Sequence, residues 1–506
     1  MPAEPAAPLN LARHCLARWA EDPTTASRPA FTFVDPDAED RTWTYEAVWT
    51  RIQAIGRGML DRGLQPGDRV LIRLPHSPEY AFAFFGATLA GLLPIPASPQ
   101  LTEEEITFLL QDSQAIAIVR GPGGKLPGFT GIEILEHELD TLDGAATLPE
   151  TTAEDPAFLI YTSGTTSHPK GVLHAHRTVR GRELMRQGWQ GFEPTDTTLH
   201  AGTLNWSYTL GVGLMDAWAA GAHAILRGGA ATPEVWPPLI ERLGVTIFIA
   251  VPTVYRQMLK YGRPEDRNLS SLRHVLCAGE PLTPALRQEW QERVGTEMYE
   301  SLGMTEISTY ISSGPVTPVR SGSPGRPQPG RRVAVLPEDS DSTDPLPPGE
   351  PGLLAVHRSD PGLMLHYWNR PEEEAAVFRG DWFIGGDRAA VDEDGYVWFH
   401  GRADDVIKSF GYRLSPVEIE AALESHPDVS EAAVVARRLD ETKTLVSACI
   451  VPTAPGAIDE ATLRAHAAQH LAGYKQPHEY HFLEHLPRTR NGKLQRSALL
   501  ATLNGA

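Results

Sequence analysis

The chain has 506 residues, which is room for about three domains of roughly 150 residues and for a large hydrophobic core. It contains 45 Lys and Arg against 64 Asp and Glu, a formal net charge of −19 at pH 7. This acidic balance disfavours duplex nucleic acid and anionic membrane surfaces as binding partners. The three cysteines, Cys15, Cys277 and Cys449, lie far apart without metal-ligand spacing, which excludes a disulfide framework and favours a reducing, cytoplasmic location.

The amino terminus has no basic segment before an apolar stretch, so we expect no signal peptide. The longest apolar window, residues 81–97, contains Thr88 and is interrupted by Pro94 and Pro96. It is also shorter than the roughly 20 residues that a membrane-spanning helix needs. The window therefore predicts a buried helix followed by a strand, in a soluble protein without a membrane span.

Short apolar runs rich in β-branched residues alternate with helix-length segments before residue 315. Runs that are apolar on both faces are typical of mostly parallel sheets covered by helices. We therefore expect an α/β architecture in this part of the chain. The predicted strands are 69–74, 115–119, 158–161, 222–226, 245–250 and 273–277, and two of the predicted helices are 233–243 and 284–293.

From Pro315 onward, Gly and Pro punctuate the sequence at short intervals, which predicts antiparallel strands joined by tight turns. We expect a β-rich subdomain over about 315–402, at the end of a large N-terminal domain that spans 1–402. A small α+β domain is predicted for 403–506, and a linker near 403–405. Its predicted elements are a helix at 415–426, strands at 431–436 and 445–451, and a helix at 460–471.

A loop rich in hydroxyl side chains and glycine, residues 161–171 (YTSGTTSHPKG), directly follows the predicted strand 158–161. Backbone N–H groups and a mobile lysine in such a loop can surround phosphate oxygens. The loop lacks the Gly-Lys-Ser/Thr of the P-loop, which excludes a P-loop NTPase. A flexible surface loop is the alternative interpretation of this segment taken alone.

Six further motifs follow this loop in order along the chain: 278–281 (AGEP), 302–306 (LGMTE), 382–387 (WFIGGD), 401–408 (GRADDVIK), 411–416 (GYRLSP) and 487–493 (PRTRNGK). With them, the sequence resembles the adenylate-forming superfamily of acyl-CoA synthetases, peptide-synthetase adenylation domains and beetle luciferases. It looks most like the benzoate-CoA ligase and medium-chain acyl-CoA synthetase branches. The chain departs from the usual loop at Ser167, where the superfamily commonly has glycine.

The resemblance implies a site for ATP or AMP. A carboxylate such as Glu306 can hold Mg²⁺ against nucleotide phosphates, and the hydroxyl of Thr305 can bond the α-phosphate. The remaining implied nucleotide contacts are Thr162, Ser163, Gly164, Thr165, Thr166 and Lys170 in the phosphate loop, Gly279, Glu280, Pro281, Glu300, Ser301 and Leu302 around the adenine, Gly303 directly after them, and Asp387 and Arg402 at the ribose.

The small domain carries the other implied catalytic groups. Lys493 matches the superfamily's lysine, which offsets the charge of two approaching anions during adenylation. Asp404 matches a hinge about which the small domain rotates between the two half-reactions. Gly411 and Tyr412 then match residues that line the channel for the CoA thiol. The basic stretch 471–500, with a net charge of +3, suits two anionic substrates, ATP and CoA.

The acid pocket of relatives corresponds to Asn205, Trp206 and Tyr208 together with Gly303 and Met304. Glycine at 303 is expected to leave this pocket open, because a bulky residue there closes it in acetate-specific relatives. The aromatic side chains favour an aryl, alicyclic or medium-length acyl group, although each is equally compatible with a place in the core. Only Arg256 is basic in the neighbouring stretches, which disfavours dicarboxylic acids.

The sequence therefore predicts an ATP-dependent, AMP-forming acid:CoA ligase with Mg²⁺ as cofactor, in the manner of the enzymes of fatty acid metabolism. Its expected partners are a small carboxylic acid, ATP and CoA, and a homodimer is left open. Alternatives are an adenylation enzyme that loads a carrier-protein thiol and a luciferase-like oxygenase. A peptide-synthetase domain is disfavoured, since no Asp lies near Asn205 to hold an α-ammonium group.

Overall fold

The computed structural model describes residues 7–122, 126, 128–162, 169–279, 282, 284–338, 340–402, 407–409, 412–414, 416–439, 443–487 and 496–504. The chain forms two compact units. The first comprises Met1–Pro99, Ser113–Ile160 and Gly171–Gly401. The second comprises Gln100–Asp112, Tyr161–Lys170 and Arg402–Ala506, so two short segments from earlier in the chain belong to the unit that contains the carboxyl terminus.

The α-helices begin and end as follows: α1 Leu11–Ala20, α2 Tyr45–Asp61, α3 Pro78–Leu89, α4 Glu103–Ser113, α5 Thr178–Met185, α6 Ala217–Ala220, α7 Trp236–Leu243, α8 Pro252–Gln257, α9 Pro284–Val294, α10 Pro371–Val377, α11 Pro416–Glu424, α12 Glu460–His470 and α13 Arg496–Asn504. Residues Arg186–Gln190, Thr209–Asp216 and Met258–Gly262 form π-helical turns, and short 3₁₀ turns occupy Glu136–Glu138, Pro233–Val235, Pro264–Asp266 and Gly473–Lys475. Polar caps start several helices, for example Asn10, whose side chain accepts hydrogen bonds from the N–H groups of Ala12 and Arg13.

The strands are β1 Pro29–Val34, β2 Arg41–Thr44, β3 Arg69–Arg73, β4 Leu93–Pro96, β5 Ala117–Arg120, β6 Ile132–Leu135, β7 Pro156–Thr162, β8 Lys170–Ala175, β9 Thr197–His200, β10 His223–Arg227, β11 Ile247–Ala250, β12 His274–Ala278, β13 Glu297–Met304, β14 Ser308–Ser312, β15 Arg326–Pro327, β16 Val333–Leu336, β17 Gly352–His357, β18 His366–Tyr367, β19 Phe378–Arg379, β20 Trp382–Val391, β21 Val397–Arg402, β22 Ile407–Ser409, β23 Tyr412–Leu414, β24 Val429–Arg438, β25 Thr444–Pro452 and β26 Glu479–Phe482.

A nine-stranded sheet forms the centre of the first unit, in the order β15-β14-β13-β12-β11-β9-β10-β1-β2. The strands from β13 to β1 in this order pair in parallel, and antiparallel strands flank them on both sides. Strands β11 and β12 are buried along their whole length, as expected for a sheet that helices cover on both faces. The α/β prediction for this part of the chain is confirmed.

The apolar window at 81–97 forms a buried helix and a strand, as predicted. All of α3 is buried, and β4 follows it after a short turn. Strand β4 is the edge of a parallel four-stranded sheet, β4-β3-β5-β6. Among the described residues, no helix has the length and apolar composition needed to cross a membrane.

The Gly- and Pro-rich region after residue 315 is antiparallel β-structure. Strands β16, β17, β20 and β19 form a sheet, and β21 pairs with β20. Strand β18 instead joins β8 and β7 in a separate three-stranded sheet. The β-rich texture that the sequence predicts for this region is confirmed.

The carboxyl-terminal part of the second unit is a small α+β fold. It contains the β22-β23 hairpin and the sheet β24-β25-β26, against which α11 and α12 pack around Ile419, Leu463 and Val434. The fold class predicted from the sequence, a large mixed α/β part with a β-rich region and a small α+β part, is therefore confirmed.

Candidate active site

Four neighbouring parallel strands of the central sheet end at one edge. β9 ends at His200, β11 at Ala250 and β12 at Ala278, whereas β13 continues to Met304. In open α/β sheets, ligands bind beyond the carboxyl ends of the parallel strands, where the following loops meet. The predicted site segments of the first unit, 205–208, 279 and 300–306, follow or extend these strands, so the fold brings them to the same edge.

Gly303 lies where the backbones of β13 and β14 are in close contact. A Cβ atom at this position would lie 2.6 Å from Cα of Thr309 and would also collide with the carbonyl oxygen of Ser308. The pairing of the two strands is irregular between Leu302 and Gly303. Glycine is thus required here by backbone packing. Its proposed second role, keeping an acid pocket open, stays a prediction.

The turn after β13 holds Thr305 and Glu306 through contacts with the β-rich region and β8. The hydroxyl of Tyr367 donates to Oε1 of Glu306 at 2.8 Å, and the N–H of Met364 donates to the carbonyl oxygen of Glu306 at 2.7 Å. The ring Nε2 of His174 lies 3.0 Å from the carbonyl oxygen of Thr305. Burial lowers the pKa of His174 to about 3, so its ring is neutral and can donate from Nε2. Both ends of the turn are therefore fixed, and the side chains of Thr305 and Glu306 remain partly exposed.

Glu300 lies on β13, the strand that leads to this turn, and its carboxyl group is buried. Burial raises the pKa of Glu300 from 4.5 to about 7, because desolvation outweighs the hydrogen bond from the N–H of Leu282 and the nearby charge of Arg287. The neighbouring Ser301 donates its hydroxyl to the carbonyl oxygen of Ile311. Of the three implied adenine contacts on β13, two are therefore already engaged within the protein, and Leu302 packs against the core of the β-rich region.

Asp387 lies on β20 and is buried, with 2% of the residue exposed. Two residues before it, Gly385 leaves room for Met304, whose side chain would collide with a Cβ atom there. This contact brings the end of β13 beside the strand that carries Asp387. Met304 is itself buried in a cluster with Tyr367 and Phe383, and its predicted place in the acid pocket stays a prediction.

The second unit carries Thr162, Lys170, Arg402 and Tyr412 among the predicted residues. Thr162 ends β7 and Lys170 begins the adjacent strand β8, so the two ends of the predicted phosphate loop leave and enter one sheet. The backbone of Arg402 ends β21, but its side chain is outside the described part of the chain. The following predicted residues also lie outside the described residues: Ser163, Gly164, Thr165, Thr166, Ser167, Glu280, Pro281, Asp404, Gly411 and Lys493.

Tyr412, predicted to line a thiol channel, stacks on Tyr474 with ring centroids 4.0 Å apart and planes inclined by 12°. The next residue, Lys475, is buried and donates from Nζ to Glu418 at 2.7 Å and to Glu105 at 3.0 Å. Burial lowers the pKa of Lys475, but the neighbouring acidic groups outweigh this effect and hold the pKa above its ordinary value. A charged Lys475 therefore anchors the turn that presents Tyr474 to Tyr412.

The segment after β9 contains the predicted acid-pocket residues. Asn205 accepts a hydrogen bond from the hydroxyl of Thr203, and Trp206 is partly exposed. The ring of Tyr208 stacks on Trp189 at 6.2 Å and meets His200 edge-on at 4.7 Å. These rings form a contiguous group, called the aromatic wall and defined as Trp189, His200 and Tyr208. His200 ends strand β9 at the carboxyl edge of the sheet, and Trp189 is fully buried.

Sequence reasoning missed several residues that the fold places at or behind this edge. His200 is the last residue of β9, and its position between a β-branched run and the predicted 205–208 segment is a signal that could have identified it. Tyr367 and His174, which support Glu306 and Thr305, come from distant parts of the chain. No local pattern relates these two residues to the turn they support.

The chain matches known proteins over nearly its whole length. Residues 17–368 match the family described as AMP-binding enzyme, and residues 418–493 match the AMP-binding enzyme C-terminal domain. Benzoate–CoA ligase of Thauera aromatica is 34% identical over 483 residues, which cover 90% of this chain and 90% of the relative. Human mitochondrial acyl-coenzyme A synthetase ACSM3 is 29% identical over 529 residues, covering 97% of this chain and 89% of the relative.

A solved structure shows the same architecture. o-Succinylbenzoate CoA synthetase from Bacillus subtilis, a double mutant bound to a product analogue, superposes with a TM-score of 0.85 at 25% identity, over 98% of each chain. The family match spans more than half of the chain and agrees with the order of motifs and with the fold. The chain therefore belongs to the AMP-binding enzyme family, as an adenylate-forming acyl-CoA ligase that uses ATP and CoA and releases AMP.

Proposed function

We propose that this ligase activates a monocarboxylic acid with an aromatic, alicyclic or medium-length acyl group. The proposal rests on the aromatic wall of Trp189, His200 and Tyr208. His200 of this wall ends strand β9 at the sheet edge to which strand β13 also brings Thr305 and Glu306. Aromatic side chains supply large apolar contact areas for such acyl groups. The similarity to benzoate–CoA ligase and to ACSM3 is consistent with this class of acid.

Among the described residues, the basic side chains considered as a counter-charge for a second carboxylate on the acid are Arg256 and Arg182. Arg256, the one basic residue that the sequence places nearby, lies near the end of helix α8. The guanidinium of Arg182, on α5, is buried and bound to Asp216 through two hydrogen bonds at 2.6 and 2.9 Å. Its charge is therefore already neutralised, which favours monocarboxylic over dicarboxylic acids.

The proposed reaction has two steps. A carboxylate oxygen of the acid attacks the α-phosphorus of ATP, and pyrophosphate leaves, which gives an acyl-adenylate. The thiol of CoA, after losing its proton, attacks the acyl carbon, and AMP leaves with the bridging oxygen. Lys493 offsets the negative charge in the first step, Thr305 donates to the α-phosphate, Asp387 and Arg402 hold the ribose, and Tyr412 faces the thiol in the second step after rotation about residues 403–405.

Glu306 is the residue that would hold Mg²⁺. Mg²⁺ commonly binds one or two protein carboxylates together with substrate phosphates and waters, so one partly exposed carboxylate fits its needs. The hydroxyl of Tyr367 occupies Oε1 of Glu306, which leaves Oε2 for the ion. When bound, Mg²⁺ would neutralise phosphate charge.

A panel of acids tests this proposal. We expect pyrophosphate release with benzoate, cyclohexanecarboxylate or hexanoate that exceeds release with acetate or malonate by at least about tenfold in kcat/KM, since an added methylene in an apolar pocket changes discrimination by about 10- to 200-fold. Rapid release of AMP should require CoA. EDTA should abolish the release of both pyrophosphate and AMP. Preference for acetate or malonate would contradict the proposed acid class, and light emission or transfer only to a carrier protein would support one of the alternative activities.

A further inference from the structure

Three buried polar groups, two of them in the aromatic wall and one in the residue after it, have no hydrogen-bond partner among the described residues. They are Nε2 of His200, the hydroxyl of Tyr208 and the hydroxyl of Thr209. His200 is 2% exposed and Thr209 is fully buried. A buried hydrogen-bonding group without a partner destabilises the folded protein, so three such groups in neighbouring side chains need an explanation.

The three groups are close to one another. The rings of His200 and Tyr208 are in edge-to-face contact, and Thr209 follows Tyr208 in the chain. Gly202 lies between His200 and Thr209. A Cβ atom on Gly202 would lie 3.0 Å from Cε1 of His200 and would collide with Oγ1 of Thr209. Gly202 thus packs between His200 and Thr209, and its lack of a side chain lets these two polar side chains approach each other.

Each of the three groups can donate a hydrogen bond. The N–H of Gly202 donates to Nδ1 of His200 at 2.9 Å, so the ring proton of a neutral His200 resides on Nε2. Burial lowers the pKa of His200 to about 3, which keeps the ring neutral at pH 7. The hydroxyls of Tyr208 and Thr209 rotate freely enough to donate as well.

We propose that His200, Tyr208 and Thr209 form a polar subsite, defined by these three residues, which binds an uncharged oxygen on the acyl group of the acid, such as a hydroxyl or a keto oxygen. This inference rests on the proposed function and narrows its substrate class. The subsite is uncharged, so a second carboxylate would be desolvated there without a compensating cation. The preferred acid is therefore a hydroxy- or oxo-substituted aromatic, alicyclic or medium-length monocarboxylic acid.

Matched pairs of acids test the subsite on the wild-type enzyme. The pairs are benzoate with its ring-hydroxylated derivatives, cyclohexanecarboxylate with its ring-oxo derivatives, and hexanoate with its ω-hydroxy derivative. We expect at least one substituted acid to exceed its parent by tenfold or more in kcat/KM for pyrophosphate release, because a site built to bond an oxygen discriminates strongly against the analogue without it. Parent acids equal to or better than every substituted partner would overturn the inference.

Variants that each remove one hydroxyl locate the effect. Tyr208→Phe and Thr209→Val should each lower the ratio of kcat/KM for the substituted acid over its parent by about three- to tenfold. The control variants are Tyr80→Phe and Thr88→Val, whose buried hydroxyls bond the carbonyl oxygens of Ala97 and Phe84 within the first unit, and they should leave the ratio unchanged.

Three outcomes separate this inference from the proposed function. If both subsite variants leave the ratio of kcat/KM for the substituted acid over its parent unchanged, the three groups hold only buried water. The inference then fails, while the ligase activity stands. If the same ratio falls as much in the control variants as in the subsite variants, a general loosening of the core causes the change. This result also overturns the subsite. If none of these acids releases pyrophosphate, the proposed acid class itself is wrong.

Discussion

Replacing Lys493 by alanine is expected to slow acyl-adenylate formation by about 10²- to 10³-fold, the range seen when one preorganised transition-state donor is removed. In adenylation, two anions approach each other and negative charge builds up around the α-phosphorus. A lysine ammonium group is a compact charge that offsets this repulsion. Thioesterification lacks this repulsion, so the second half-reaction should proceed at nearly its normal rate.

The two half-reactions can be measured separately. Pyrophosphate release in the presence of hydroxylamine reports the first step, and AMP release from a supplied acyl-adenylate and CoA reports the second. The control is Lys260→Ala, since Lys260 is an exposed lysine in the first unit. Unchanged pyrophosphate release, or an equal loss in both half-reactions, would contradict the role assigned to Lys493.

Replacing Arg331 by methionine is expected to lower the free energy of unfolding by about 3–5 kcal/mol, because it leaves the buried carboxylate of Asp360 without its cation. Both side chains are almost completely buried. Arg331 donates from Nη1 to both oxygens of Asp360, from Nε to Gln328, and from Nη2 to the carbonyl oxygens of Gly181 and Thr309. All five of its N–H groups are therefore satisfied.

This buried pair also supports the candidate site. Thr309 lies on β14 opposite Gly303 of β13, so Arg331 holds the strand against which the site strand packs. We expect the loss of stability to appear in urea unfolding followed by tryptophan fluorescence. The double variant Arg331→Met with Asp360→Leu should recover part of it, because neither charge of this buried pair then remains.

A surface arginine provides the matched control for this measurement. Arg293 pairs with Glu265 and Glu289, and all three side chains are partly exposed. Such pairs contribute about 0–1 kcal/mol, so Arg293→Met should change the free energy of unfolding by less than 1 kcal/mol. If Arg331→Met and Arg293→Met lowered the free energy of unfolding equally, burial of the Arg331–Asp360 pair would contribute nothing to stability.

The sequence predicts the elements of this fold well where one strand or helix carries its own pattern. The apolar runs at 245–250 and 273–277 correspond to the fully buried strands β11 and β12, and 460–471 corresponds to α12. Buried parallel strands and amphipathic helices leave local periodicities that a single sequence reveals. The order of motifs likewise sufficed to identify the enzyme family.

Features that depend on contacts between distant residues were not predictable. The buried pair of Arg331 and Asp360, the bond from Tyr367 to Glu306 and the polar subsite join residues that no local pattern links. The association of Gln100–Asp112 with the second unit is of the same kind. Gly303 was predicted for another reason, an open acid pocket. Its close backbone contact with Ser308 and Thr309 explains why glycine is needed there, and this contact could not be predicted from the sequence.

Oxygen transfer from the acid to AMP tests the two-step account most directly. The enzyme is incubated with ATP, CoA and a carboxylic acid labelled with oxygen-18 in its carboxylate, and the nucleotide product is analysed by mass spectrometry. Attack of the carboxylate on the α-phosphorus, followed by thiolysis, places one labelled oxygen in AMP. Unlabelled AMP, or label in inorganic phosphate together with ADP, would contradict the proposed acyl-adenylate.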